Sequence, residues 1–248
     1  MIRKALIVAA LLVFGACGPA PAQTLQETRL KAEQGDAFAQ FSLGLDYDLG
    51  KGVPQDYAEA AKWYRKAADR GYAHAQALLG MMYLNGKGVP QDYVQAEKWF
   101  RLAAEQGNAY AQFRLGGMYS QGEGVPRDYV ESVKWFRLAS EQGDAYAQSS
   151  LGAMYASGKG VAQDYAEAAK WRRKAADQGD ADAQSRLGLM YYLGIGVPQD
   201  YVQAHKWLNL SAASGDADAL KNRDIVAAKM TPAQIAEAQR LASAWRKK

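Results

Sequence analysis

The stretch GKGVPQDYVQAEKWFRLAAEQG, Gly86 to Gly107, decides how the chain folds. Gly88, Val89 and Pro90 close a loop, Asp92 and Tyr93 open a helix, Trp99 anchors it, and Gly107 ends it. Moving the register by 36 residues meets the same residues again: Trp63, Trp99, Trp135, Trp171 and Trp207, and glycines at Gly35, Gly71, Gly107, Gly143, Gly179 and Gly215. The Leu-Gly pairs beginning at Leu43, Leu79, Leu115, Leu151 and Leu187 keep the same step. A period of this length without an insertion predicts a solenoid, in which each unit buries its apolar face against its neighbours.

Each unit reads as two helices. Helix A follows the glycine, with Asp36, Asn108, Asp144 and Asp180 as N-caps, because a short side-chain oxygen can accept from an orphan backbone N–H. Tyr72 departs from that rule. Helix A then runs through Ala-Gln, Leu-Gly and a tyrosine (Tyr47, Tyr83, Tyr119, Tyr155, Tyr191) to a glycine such as Gly50 or Gly86. Helix B starts at Asp56, Asp92, Asp128, Asp164 and Asp200, each followed three residues on by Glu59, Gln95, Glu131, Glu167 or Gln203. Asp-x-x-Glu/Gln is a capping-box pattern, expected in all five units. Small residues in the last turns (Ala67, Ala68, Ala103, Ala104) and the tryptophan supply the packing surface of helix B.

The pattern predicts an all-α chain, an α/α superhelical solenoid of five full repeats with capping half-repeats. The repeats are expected at 36–71, 72–107, 108–143, 144–179 and 180–215. Residues 23–35 read as an N-terminal half-repeat with Glu27 at the tryptophan position. Residues 216–248 read as a C-terminal half-repeat and a closing helix, started by Thr231 and Pro232 and bringing Trp245 over the open end.

Residues 1–22 stand apart. Arg3 and Lys4 precede an apolar run from Ala5 to Phe14 that is too short to span a bilayer, and Ala20-Pro21-Ala22 offers a cleavage site before Gln23. The expectation is a secretory signal. A competing reading takes Phe14-Gly15-Ala16-Cys17 as a lipobox with lipidated Cys17. Cys17 is the one cysteine, so no internal disulfide can form. Removing Arg3 and Lys4 from 30 basic residues leaves 28 against 26 acidic ones, a net +2. Neither nucleic acid nor an anionic membrane surface is implied as partner.

The pattern LGxMYxxGxGVPxDYxxAxKWxxxAAxxG resembles the Sel1-like repeat family, which is similar to the tetratricopeptide repeats. The resemblance runs from about Leu25 to the C-terminus. It implies a superhelix that mediates protein–protein contacts, often in signalling or in exported bacterial proteins. Members with a disulfide in each repeat have been associated with penicillin binding or β-lactamase activity, and this chain lacks their cysteine pairs.

By analogy with tetratricopeptide-like solenoids, helix A lines the inner groove. Its packed positions hold the near-constant Gln, Leu and Tyr, and its variable positions fall on the opposite face. These variable positions give the candidate partner-binding residues Phe38, His74, Tyr110, Tyr146 and Asp182, with Arg114 and Arg186 a turn further on. Aromatic rows with interspersed arginine suit an extended or helical peptide. The competing reading is that they are simply unconstrained solvent positions.

Nothing in the sequence supports catalysis. His74 and His205 are the only histidines and sit on distant repeats, and no zinc-binding pattern is present. No Ser is followed three residues later by Lys, as a serine penicillin-recognising enzyme would need. No cofactor or metal is expected. The row Lys62, Lys98, Lys134, Lys170 and Lys206 reads as a solvated convex face, or alternatively as a contact for an anionic polymer.

Three functions follow. The first is a non-enzymatic scaffold, periplasmic or secreted, expected as a monomer with a protein or peptide partner. The second is a wall- or envelope-binding module, which includes anchorage through Cys17. The third is a β-lactam hydrolase, whose motifs are missing.

Overall fold

The computed structural model describes residues 25–246, all of whose regular elements are helical. The expected signal and the Cys17 lipidation site lie outside these residues. A cap helix α1 (Leu25–Glu33) is followed by five helix pairs. The A helices are α2 (Ala37–Leu49), α4 (Ala73–Asn85), α6 (Ala109–Gln121), α8 (Ala145–Ser157) and α10 (Ala181–Leu193). The B helices are α3 (Tyr57–Asp69), α5 (Tyr93–Glu105), α7 (Tyr129–Glu141), α9 (Tyr165–Asp177) and α11 (Tyr201–Ala213). Two further helices, α12 (Ala217–Ala227) and α13 (Pro232–Ala244), end the array. No helix among the described residues is long and apolar enough to cross a membrane.

Every aspartate read as an N-cap does cap: the Asp144 carboxylate, for example, accepts from Ala147 N–H at 2.7 Å. Tyr72 makes no side-chain cap bond. The capping-box expectation for the B helices needs correction. In all five repeats the cap aspartate's own N–H donates to the carbonyl of the helix A tyrosine, as from Asp128 to Tyr119 at 2.9 Å. With that donor already used, the glutamates turn outward and pair with Lys62, Lys134 and Lys170 instead. Among the described residues the reciprocal box forms only at α13, between Thr231 and Gln234.

Within a repeat, helix A lies on helix B at its Leu-Gly glycine. A methyl group on Gly116 would meet the Phe136 ring at 2.7 Å, so only glycine permits this approach. The tryptophans reach backwards between repeats. Trp99 of α5 is buried with Ala60, Ala67, Ala75 and Leu79 of α3 and α4, and Trp135 repeats this arrangement one unit on. Trp63 has only the shorter α1 and α2 to pack on and stays half-buried. At the other end α13 packs along α11, burying Ala238 and Ala242, and Trp245 rests partly buried on the α9–α11 core.

Two ladders fix the register between units. Arg29, Arg65, Arg101, Arg137 and Arg173 each donate to the tyrosine 18 residues on: Arg29 to Tyr47 at 2.7 Å, Arg137 to Tyr155 at 2.9 Å, and the other three to Tyr83, Tyr119 and Tyr191. The buried glutamines Gln40, Gln76, Gln112, Gln148 and Gln184 each donate to a carbonyl of the preceding unit at 3.0 to 3.1 Å.

Candidate functional site

The variable positions of the A helices carry two clusters of touching rings, one across the first and second units and one across the third and fourth. Phe38 meets Tyr72 edge-on at 6.3 Å between centroids, Phe41 lies 5.0 Å from Tyr72, and Tyr72 lies 5.6 Å from His74. Two units further on, Phe113 stands 6.0 Å from Tyr146 and 6.0 Å from Phe136. Phe41 and Phe113 sit one step before the positions read from the sequence as variable. They complete the clusters and were missed because they alternate with Ala77, Ser149 and Ser185 instead of repeating.

The candidate residues do not share one environment. Phe38 and Tyr146 are 49% and 53% exposed, large values for aromatic side chains. His74 is exposed as well. Tyr110 differs: it is half-buried, packing edge-on against Phe100 at 6.4 Å and against the core around α5 and α6. Burial pushes its hydroxyl up to about 12 although the Arg114 guanidinium pulls the other way. Arg114 is half-buried beside it. At the far end Asp182 and Arg186 are partners of each other, the Arg186 Nε donating to both carboxylate oxygens at 2.9 Å. The variable positions of the A helices therefore run from aromatic rings at α2–α8 to charged groups at α10.

No group of three or more His, Cys, Asp or Glu side chains that could hold a metal ion occurs among the described residues. Lys62, Lys134 and Lys170 are exposed and engaged in pairs three residues apart along their own helices, which water screens. Lys98 and Lys134 also approach their neighbouring tryptophan rings, at 5.8 and 5.5 Å.

Paired helices stacked by identical interfaces define an α-solenoid, a class that carries binding faces on an invariant frame. The Sel1 repeat matches the chain five times in succession, at residues 37–72, 73–108, 109–144, 145–180 and 181–216. The chain thus belongs to the Sel1 repeat family, a scaffold fold typical of protein–protein interaction modules. Among solved structures, a Sel1 repeat protein from Oxalobacter formigenes is 41% identical with a TM-score of 0.72, over 79% of this chain and 57% of that one. A protective antigen of uropathogenic Escherichia coli strains, displaying an SLR fold, is 37% identical with a TM-score of 0.64, over 89% of this chain and 56% of that one. The chain spans little more than half the length of either. A Sel1 repeat protein from Klebsiella pneumoniae, 24% identical with a TM-score of 0.51, shares the fold. The comparison with curated proteins finds no match.

Proposed function

We propose that this chain is a non-enzymatic adaptor, exported to the bacterial envelope, which holds a peptide or protein segment in a concave groove lined by its A helices. The observation that carries this reading is the pair of ring clusters on the A helices, Phe38 with Tyr72 and His74, and Phe113 with Tyr146, which leave Phe38, His74 and Tyr146 exposed. In a water-soluble face such rings are costly to leave uncovered, and aromatics with arginine are the residue types that anchor interfaces. Export rests on the character of residues 1–22.

The test is capture from envelope extract with wild type and a Phe38→Ser/Tyr146→Ser double variant as baits. Both positions are exposed, so the variant should unfold at the same temperature within about 2 °C while losing the captured protein. Equal capture by both baits rejects the groove. Sedimentation of both with purified peptidoglycan would favour a wall-binding module instead. The N-terminus of the mature protein, read by mass spectrometry, separates cleavage before Gln23 from lipidation at Cys17.

A further inference from the structure

The fourth repeat departs from the others at one floor position. The slot behind the Leu-Gly glycine holds Tyr64, Phe100, Phe136 and Leu208 in four repeats, all buried. In the fourth it holds Arg172. The side chain passes over Gly152 of α8, where a methyl group would stand 3.0 Å from its Cγ. Its guanidinium continues to α10 and donates from Nη1 to the Met190 sulfur at 3.3 Å. Nε is buried and has no partner. A thioether is a weak acceptor, so this cation is poorly compensated for its burial.

Its neighbours sharpen the imbalance. Arg186 adds a second positive charge close enough to disfavour the first, and Asp182 is the acid that offsets it. Yet both oxygens of Asp182 already accept from Arg186. The nearby Asp180 is spent at the start of α10, where it accepts from Ala183 N–H at 2.7 Å. The rings that cover this slot in the first and third repeats, Phe41 and Phe113, are replaced by Ser149. A half-buried guanidinium with an unpartnered Nε, in a slot that is apolar in the other repeats, beside a second guanidinium and under a small residue, matches a ligand that brings a carboxylate.

Resting on the groove reading above, we propose that the Arg172–Arg186 end of the groove receives an aspartate or glutamate of an extended peptide whose apolar side chains lie on the aromatic end. The bound peptide thus has a fixed polarity. Adjacent packed helices lie about 8–10 Å apart, so one or two helix spacings separate Tyr146 from the arginines; at about 3.3 Å per extended residue, the acid sits roughly three to six residues from the aromatic-bound anchor.

The test selects binders from a phage-displayed library of random twelve-residue peptides on the full chain, then compares each acidic binder with its Asn or Gln counterpart. The variant Arg172→Leu copies the leucine of the fifth repeat, Leu208, and should fold at least as well as wild type. Wild type should prefer the acidic peptide about tenfold or more, and Arg172→Leu should bring the two peptides within about threefold while still requiring the apolar anchor. Binders without an acid, equal affinity of acid and amide for wild type, or a preference that survives Arg172→Leu would each overturn the carboxylate site and leave the groove standing. An empty selection would remove the groove reading itself and this inference with it.

Discussion

At the scale of single residues, stability is concentrated in a few repeated side chains. Trp135 is buried between α5, α6 and α7, so Trp135→Ala should cost about 3–5 kcal/mol in urea unfolding. The glutamine ladder permits a finer experiment, because the protein contains its own controls. Gln106, Gln142 and Gln178 donate to the side-chain oxygens of Gln76, Gln112 and Gln148 at 2.7 to 3.0 Å. In the first and fifth repeats that donor position holds Arg70 and Ser214, and the oxygens of Gln40 and Gln184 are left buried without a partner. Gln142→Ser, which copies the fifth repeat into the third, should orphan Gln112 and cost about 1 kcal/mol. The constant glutamines were legible as packed hydrogen-bonding groups. Their partners were not, since a donor 30 residues away on the next helix leaves no local signature. The surroundings of Tyr110 were illegible for a related reason: it shares a position with Tyr146, but the Phe100 ring of the preceding helix packs against it.

At the scale of elements, caps and loops carry the argument. Asp128 accepts from Val130 and Glu131 N–H at 2.9 and 3.1 Å, so Asp128→Ala should lose about 1 kcal/mol. Glu131→Ala removes only an exposed pair with Lys134 and should change stability by less than about 0.5 kcal/mol. A reciprocal box would make both changes costly, so chemical denaturation of the two variants checks its absence directly. The loop between α6 and α7 has a stricter requirement. Gly124 adopts φ +73°, and a methyl group there would stand 2.5 Å from the Tyr93 carbonyl oxygen of the preceding unit. Gly124→Ala should therefore destabilise by more than about 1 kcal/mol, read as a lowered urea midpoint. Helix starts and stops were readable because they depend on adjacent residues. The way the loop presses on the previous repeat was not, because the second glycine in Gly-x-Gly meets a partner that only stacking brings near.

At the scale of the whole molecule, the array should weaken in mild acid from its C-terminal end. His205 is buried in α11, and burial, then the Arg223 cation, hold its pKa below 6.5, with Asp224 opposing. The unfolded chain therefore takes up the proton first, and stability falls as pH drops from about 6.5 towards the depressed folded value. Asp144 and Asp180 shift the other way, raised by burial above 3.8, so protonating them favours the fold, but in a lower window. The urea midpoint should drop between about pH 7.5 and 5.5, and His205→Val, which copies Val133, should lose most of that drop. The fold itself was legible in full from the period. The proposed binding positions were legible only in part, because they are defined by differing between repeats, and a difference can signal either selection or indifference.

The arginine–tyrosine ladder makes the frame indifferent to which unit stands where. Each rung joins a B helix to the next A helix by the same pair of groups, so excising residues 109–144 would bring Arg101 opposite Tyr155 and close the cut with an equivalent rung. Such a shortened chain would lose Tyr110, Phe113 and Arg114 without leaving an unmatched junction. On the proposed groove reading, the protein can thus be edited in whole modules, like text on a tape, with the order of the units spelling out what is bound.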